Sequence, residues 1–176
     1  MKLLNLFVLA LLLCSNISLS QTNEGLKSSA LRDARVTSAA TLAKDFNVVL
    51  NHTHPTVVDF MGGQEKALEL VEQAFSGMEA QGLVFEKADV IAVSDVVFEQ
   101  GEHRCYVENF NQFSMNGTRI KSKSFLLGFY DAEKSIWYFI EAAKTKDSAL
   151  MDELFPEFKT SMLIPDDETT TEQIKD

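Results

Sequence analysis

The residues best suited to chemistry lie close together after the first predicted helix. His52 and His54 are separated by Thr53, and Asp59 follows. Two imidazoles at this spacing can bind one metal ion, but a zinc site needs further ligands. In the structural alternative, His52 satisfies the last carbonyls of the first helix and His54 packs at the bend. Because the sequence identifies no third ligand, we predict no metal site. If a metal ion were bound, His52 and His54 would be the candidate ligands.

Two carboxylates are candidates for a catalytic base. Asp59 lies between the two predicted helices, and Glu141 lies near the end of the last predicted strand. An apolar pocket raises the pKa of a carboxyl group, which can then transfer protons near neutral pH. In the alternative interpretation, Asp59 is an ordinary loop carboxylate that caps the second helix.

A long predicted strand over 103–115 supplies candidates for ligand binding. Its two faces carry Tyr106, Glu108, Phe110 and Gln112 on one side, and Cys105, Val107, Asn109, Asn111 and Phe113 on the other. Because neither face is cleanly apolar, one face lines a partly hydrated cavity or a dimer contact, or the strand is an edge that faces solvent. We single out Tyr106, Glu108 and Asn109.

The last predicted strand, 135–142, is rich in aromatic residues. Trp137 and Tyr138 point to opposite faces, and each can donate a hydrogen bond to a ligand. The alternative for both is packing in the core. Cys105 lies two residues from His103 on the same strand face, where contact in an extended strand is poor, so we expect an inert thiol.

The N-terminus has the pattern of a secretory signal peptide. Lys2 precedes an apolar run over 6–14, and Ser18 and Ser20 occupy the small-residue positions before a predicted cut. We therefore expect an exported protein, in a bacterial periplasm or outside the cell, that begins at Gln21. Leu13 before Cys14 argues against a lipid anchor.

Composition limits the partners. The net charge of −10 becomes −11 without the leader, which contains one lysine and no acidic residue. Nucleic acids and anionic lipids bind through lysine and arginine, so we expect neither as a partner. The leader removes one of the two cysteines, so no internal disulfide is expected. No cofactor motif is present.

The order of the elements predicts an α+β fold. Two helices, 31–51 and 64–80, precede four sequential strands that begin near Leu83, and a short helix follows over 149–155. Because the helices are the only cover for the sheet, we expect them in the concave face of a curved four-stranded antiparallel sheet. The predicted organisation is a signal peptide over 1–20, a flexible extension over 21–30, one domain over 31–165 and a disordered acidic tail over 166–176.

This layout resembles the NTF2-like superfamily, and most closely its SnoaL-like branch. The resemblance depends on His54-Pro55 at a helix end, Gly62-Gly63 before the second helix, and a strand meander with Trp137 near its end. It implies a cone with a small apolar pocket and a homodimer formed through the open sheet face. It also implies that an enzyme of this type would place a base such as Asp59 at the cone mouth.

Three functions follow. The first is a non-catalytic binding or interaction domain for an unknown small ligand. The second is a SnoaL-like isomerase, dehydratase or hydrolase with Asp59 or Glu141 as base and Tyr138 or Trp137 as donor. The third is an envelope-associated structural protein whose side chains fill the cavity.

Overall fold

The computed structural model describes residues 2–146 and 148–174, with side chains described for 23–145 and 149–174. This part of the chain forms an α+β protein with five α-helices and a six-stranded antiparallel sheet. The side chains of the predicted signal peptide lie outside the described residues, as do the last two residues of the predicted tail. Among the described residues, no helix has the length and apolar character needed to cross a bilayer.

The first helix begins much earlier than the sequence predicts. Helix α1 spans Lys2–Ala43, and the extension over 21–30, predicted to be flexible, is part of it. Leu26 and Ala30 are buried together with Ala34. Their four-residue spacing forms a stripe on one side of the helix, and the two alanines allow close packing against the sheet. This burial corrects the prediction of a frayed extension.

The predicted helix over 31–51 is interrupted at Lys44, whose φ of 58° is incompatible with a right-handed helix. Helix α2 (Phe46–Asn51) starts after Asp45, whose side chain accepts a hydrogen bond from the Val48 amide. A further helix, α3 (Pro55–Phe60), lies between the two predicted helices, where the sequence predicted none. Proline suits the first position of a helix because a backbone amide there would have no acceptor within the helix, so its absence costs nothing.

Two predictions are confirmed residue by residue. Helix α4 spans Gln64–Ala80, as the apolar spacing indicates. The hairpin turn falls at Asn116 and Gly117, with φ values of 50° and 75°. Positive φ at both central residues characterises the tight turns that match the twist of paired strands.

The sheet contains six strands rather than the predicted four. They are β1 (Val84–Val93), β2 (Val97–Glu99), β3 (Glu102–Met115), β4 (Thr118–Asp131), β5 (Ile136–Glu141) and β6 (Glu168–Gln173). Strands β1, β3, β4 and β5 are neighbours in that order, whereas β2 also pairs with β3 and β6 with β4. A 3-10 turn (Ala142–Lys146) and helix α5 (Ser148–Leu154) connect β5 to the C-terminal segment.

Helix α1 packs against one face of the sheet, called the helix face. The helix face carries the side chains of the odd-numbered residues of β3 from Cys105 to Phe113 and of the β4 residues directly opposite them. Buried residues of α1, β3 and β5 form the core there. Trp137 is fully buried, and its indole Nε1 donates a hydrogen bond to Ser29 Oγ over 2.9 Å. Its backbone amide donates to Asp33 Oδ2 over 3.0 Å, which fixes α1 to β5.

The opposite face of the sheet is half apolar and half charged. Residues 155–164, called the strap, cover the apolar half, where Phe155, Phe158, Met162 and Ile164 pack against a cluster on β4 and β5. On the charged half, Arg119 of β4 forms an ion pair with Glu86. We call this side of the sheet the strap face.

The predicted disordered tail contains a strand. Because β5 pairs only with residues 126–131 of β4, the edge of β4 over 118–123 is open, and β6 occupies it. Glu172 also forms ion pairs with Arg119 and Lys121. An acidic segment therefore becomes ordered here because a free strand edge carries basic residues.

Candidate functional site

The main cavity has a volume of about 840 Å³. It lies between the helices and the helix face and extends past the end of β5 to Phe125 and Phe155 of the strap-face cluster. Small-molecule sites in proteins typically measure roughly 300–1,000 Å³. Apolar side chains form most of the wall. They include Ala34, Val49, Val57, Met61, Phe75, Met78, Phe85, Ala88, Phe113, Leu126, Phe139, Met151 and Phe155. The wall therefore suits a ligand with a substantial apolar body.

Four polar residues form a group on the two central strands, and we call them the polar quartet. Asn109 lies directly opposite Ser124, and Asn111 lies directly opposite Ser122. All four line the cavity. Val107 and Leu126 pair on one side of the quartet and Phe113 and Ile120 pair on the other. The quartet is thus a polar island in an otherwise apolar stretch of the two strands.

The hydrogen-bonding capacity of the quartet is mostly unused by the protein. Asn111 Nδ2 donates to Ser124 Oγ over 3.3 Å. Asn109 is only 8 % exposed, and no side chain or backbone group in the described part of the chain hydrogen-bonds to its amide. Glu99 Oε2 is the only fully buried side-chain oxygen or nitrogen without a partner among the described residues, so the Asn109 amide is accessible from the cavity. Asn109 therefore presents one acceptor and two donor hydrogens to the cavity.

His52 lines the same cavity. Its backbone amide caps α2, and its ring Nδ1 lies 3.1 Å from the carbonyl oxygen of Trp137. Because a carbonyl oxygen only accepts, Nδ1 carries the proton. In the neutral imidazole Nε2 is consequently an acceptor. His52 is therefore tied to β5 and retains one nitrogen for a further contact.

His54 has a different environment. Its ring lies 4.8 Å from the ring centroids of both Phe129 and Phe155. Its Nδ1 accepts a hydrogen bond from the Thr56 amide at the start of α3. Burial lowers the pKa of His54 to about 4, and the nearby Arg104 contributes to this lowering. The imidazole is accordingly neutral at pH 7, which agrees with the alternative that His54 packs at the bend.

The two histidines thus serve separate structural roles. Among the described residues, no group of three or more His, Cys, Asp or Glu side chains is arranged to hold a metal ion. Cys105 is fully buried in the helix-face core, and its burial raises the thiol pKa to about 12. A thiol with such a pKa is not a nucleophile near neutral pH.

The structure separates the predicted catalytic residues. Asp59 is exposed on α3 and does not line the cavity, so its predicted role as a base has no support from its position. Glu141 lines the cavity at the end of β5, where it is exposed. Tyr138 lines a smaller surface pocket with His54 instead. No predicted pair of base and donor therefore meets in the cavity.

Of the five predicted ligand-binding residues, only Asn109 lines the cavity. Tyr106 packs with the apolar cluster of the strap face. Glu108 lies on that face in an ion pair with Lys123. Trp137 is buried in the core with its indole N–H bound to Ser29. Together with the location of Tyr138, these positions place four of the five residues outside the main cavity.

The prediction missed Asn111, Ser122 and Ser124, although a signal for them exists. The tight turn at Asn116 and Gly117 fixes the register of β3 on β4, so residues at equal distances from the turn lie opposite each other. Counting outward from the turn pairs Asn111 with Ser122 and Asn109 with Ser124. Four small polar residues on one face of two central strands indicate a site.

No family model matches the chain, and no curated protein or solved structure is significantly similar to it.

Proposed function

We propose that the chain is an exported binding protein that holds a small, largely apolar ligand in the cavity on its helix face. The observation that carries this proposal is the Asn109 amide, which is accessible from the cavity and has no hydrogen-bond partner in the described part of the chain. A ligand with an apolar body and a polar group would fill the space and satisfy that amide.

The size of the cavity supports the same conclusion. The cavity is partly open to solvent, and most of the residues that line it are apolar. A ligand with an apolar body would bury these side chains away from water, and a space of about 840 Å³ is large enough to hold one. This favours a binding protein over an envelope protein whose own side chains fill the cavity.

The NTF2-like assignment and the predicted homodimer belong to this proposal. Helices on one face of an antiparallel meander are what the resemblance implies, and a cavity between them fits its pocket. The strap covers the apolar half of the opposite face. A homodimer through that face would therefore use the charged half or displace the strap, and sedimentation velocity distinguishes a dimer from a monomer.

Export is proposed from the leader alone. Expression of the full chain in a bacterial host, followed by N-terminal sequencing of the periplasmic or released protein, tests the cut. We expect the sequence to begin at Gln21. Recovery of the uncut chain from the cytoplasm would contradict export.

Ligand binding is tested with the chain from Gln21 onward and the fluorescent apolar probe N-phenyl-1-naphthylamine. We expect saturable binding at one site. Ser122→Phe, which places a ring in the cavity, should weaken the probe affinity at least tenfold. Thr169→Phe is the matched control, because Thr169 pairs with Ser122 but is exposed and does not line the cavity. Equal affinity of both variants would contradict the proposed site.

A further inference from the structure

The charges around the cavity restrict the chemical class of its ligand. Lys144 is the only lysine or arginine among the described residues that line the cavity, and it is exposed. Glu141 and Asp167 line the cavity as well and are also exposed. The whole chain has a net charge of −10. The lining therefore offers an anionic head group no net positive field.

The buried part of the site contains no ionised side chain among the described residues. The polar quartet consists of two amides and two hydroxyls, and Asn109 is its most deeply buried member. Burying a carboxylate or an ammonium group against such neighbours, without a counter-charge, is strongly unfavourable. A neutral head group avoids that penalty and can still form hydrogen bonds.

Asn109 also matches a particular neutral group. Its amide offers an acceptor and a donor side by side, and a carboxamide on the ligand offers the complementary pair. Ser122 has no side-chain hydrogen bond to any described residue and supplies a further donor or acceptor. Because both edges of the Asn109 amide are free, this match does not depend on which way the amide is turned.

We infer that the cavity binds an uncharged amphiphile, with a carboxamide-type head at the polar quartet and an alkyl or aryl body against the apolar wall, and that it discriminates against carboxylates and amines of the same shape. This inference rests on the proposed binding function and deepens it by naming the ligand class.

Three probes with one alkyl chain and different head groups test the inference. Octanamide, octanoate and octylammonium are titrated at pH 7.4, below their micelle concentrations, against the chain from Gln21 loaded with N-phenyl-1-naphthylamine. We expect octanamide to displace the dye with an affinity at least tenfold higher than either charged probe. Octanoate should be the weakest of the three.

Two variants of Asn109 connect the preference to the quartet. Asn109→Leu should weaken octanamide binding about fivefold to tenfold. Asn109→Asp, which keeps the shape and adds a negative charge, should make octylammonium the tightest of the three probes. Gln112→Leu is the matched control, because it removes an amide from the same strand on the strap face, where Gln112 bonds to Glu86. Its octanamide affinity should equal that of the wild type within twofold.

The outcomes distinguish failure of the head-group inference from failure of the proposed binding function. If octanoate or octylammonium binds as tightly as octanamide, or if octanamide fails to displace a saturably bound dye, the head-group inference is overturned and the binding function stands. If the dye itself does not saturate, both fail. A tenfold preference for octanamide that Asn109→Asp shifts toward octylammonium supports the inference.

Discussion

The guanidinium of Arg104 lies over the ring of Phe158, with 4.7 Å from its central carbon to the ring centroid. Its Nη1 donates a hydrogen bond to the Lys159 carbonyl oxygen over 2.8 Å. Gln100 contacts the same segment, since its Oε1 accepts from the Lys159 amide. A single buried cation on β3 therefore holds the strap on the sheet.

Replacing Arg104 should loosen the strap. Its side chain is 4 % exposed, and its removal leaves Glu99 and Glu102 without their cationic partner. We expect Arg104→Met to lower the free energy of unfolding by about 3 kcal/mol, as for other broken buried ion pairs. Urea unfolding measures the loss, and amide hydrogen exchange of residues 155–164 shows whether the strap is released.

Arg119→Met is the matched control for this change. Arg119 lies on β4 of the same face, but its ion pairs are with partly exposed carboxylates. Pairs of this kind contribute less than about 1 kcal/mol. Equal losses for the two arginine variants would show that Arg104 has no special role in holding the strap.

The second prediction concerns acid sensitivity. The pKa of His54 is lowered to about 4 in the fold and returns toward 6.5 on unfolding. Between these values the unfolded state binds more protons, so stability falls as the pH falls. We expect a loss of about 1–2 kcal/mol from this residue, less than the full shift implies because the ring is partly exposed.

His54→Asn isolates this contribution, because asparagine can still cap α3. Urea unfolding at several pH values between 4 and 7 gives the slope of unfolding free energy against pH for the wild type and for the variant. The variant should be less stable at pH 7 and should lose less stability toward pH 4 than the wild type. Parallel slopes would mean that another group causes the acid sensitivity.

The third prediction concerns Gly128, where the core leaves no room for a side chain. A Cβ there would lie 3.1 Å from Cys105 Sγ and 3.2 Å from ring atoms of Phe139 and Trp137. Gly128→Ala should therefore destabilise the fold by about 2 kcal/mol through overpacking. Thermal unfolding followed by circular dichroism provides the measurement.

Gly77→Ala is the control for Gly128→Ala. Gly77 lies inside α4, and a Cβ added there would meet nothing within 4 Å beyond its own helix backbone and chain neighbours. The change should stabilise the fold by roughly 0.5–1 kcal/mol, the helix-propensity difference. In a double-mutant cycle, Cys105→Ala should recover part of the Gly128→Ala loss. If the losses of the two single variants simply add in the double variant, the added Cβ does not clash with Cys105 Sγ.

The fourth prediction separates packing from ligand binding at Trp137. Trp137→Phe removes the indole N–H that binds Ser29 and leaves a void beside α1. We expect a loss of about 2 kcal/mol in unfolding free energy. The affinity for N-phenyl-1-naphthylamine should stay within twofold of the wild type. A large loss of affinity in a folded variant would restore the ligand-binding role predicted for this residue.

Local signals in the sequence were sufficient to predict two elements of the fold. The apolar spacing gives α4, and the Asn116-Gly117 pair gives the β3–β4 hairpin. The break at Lys44 has a local signal that the prediction overlooked, because Asp45 is a typical N-cap residue. The strand at Glu168–Gln173 depends on the open edge of β4, which no local pattern indicates. The burial of Leu26 likewise follows from where β5 lies.

The site was predicted less well because strand alternation divides residues into two sets without saying which set faces the helices. Asn109 and Glu108 are adjacent and both polar, yet one lines the cavity and the other pairs with Lys123 at the surface. The position of α1 on the helix face decides between them. The register of β3 on β4 alone would have identified Ser122 and Ser124 as the residues opposite Asn111 and Asn109.

The two hydrogen bonds from Trp137 to α1 also have a consequence for folding. They join residues more than a hundred positions apart, from the start of the described core to β5. Contacts of such long range slow folding, because the intervening chain must first be ordered. A nascent chain cannot close this core until β5 has been synthesised. The core between α1 and β5 therefore forms only after most of the chain has been made.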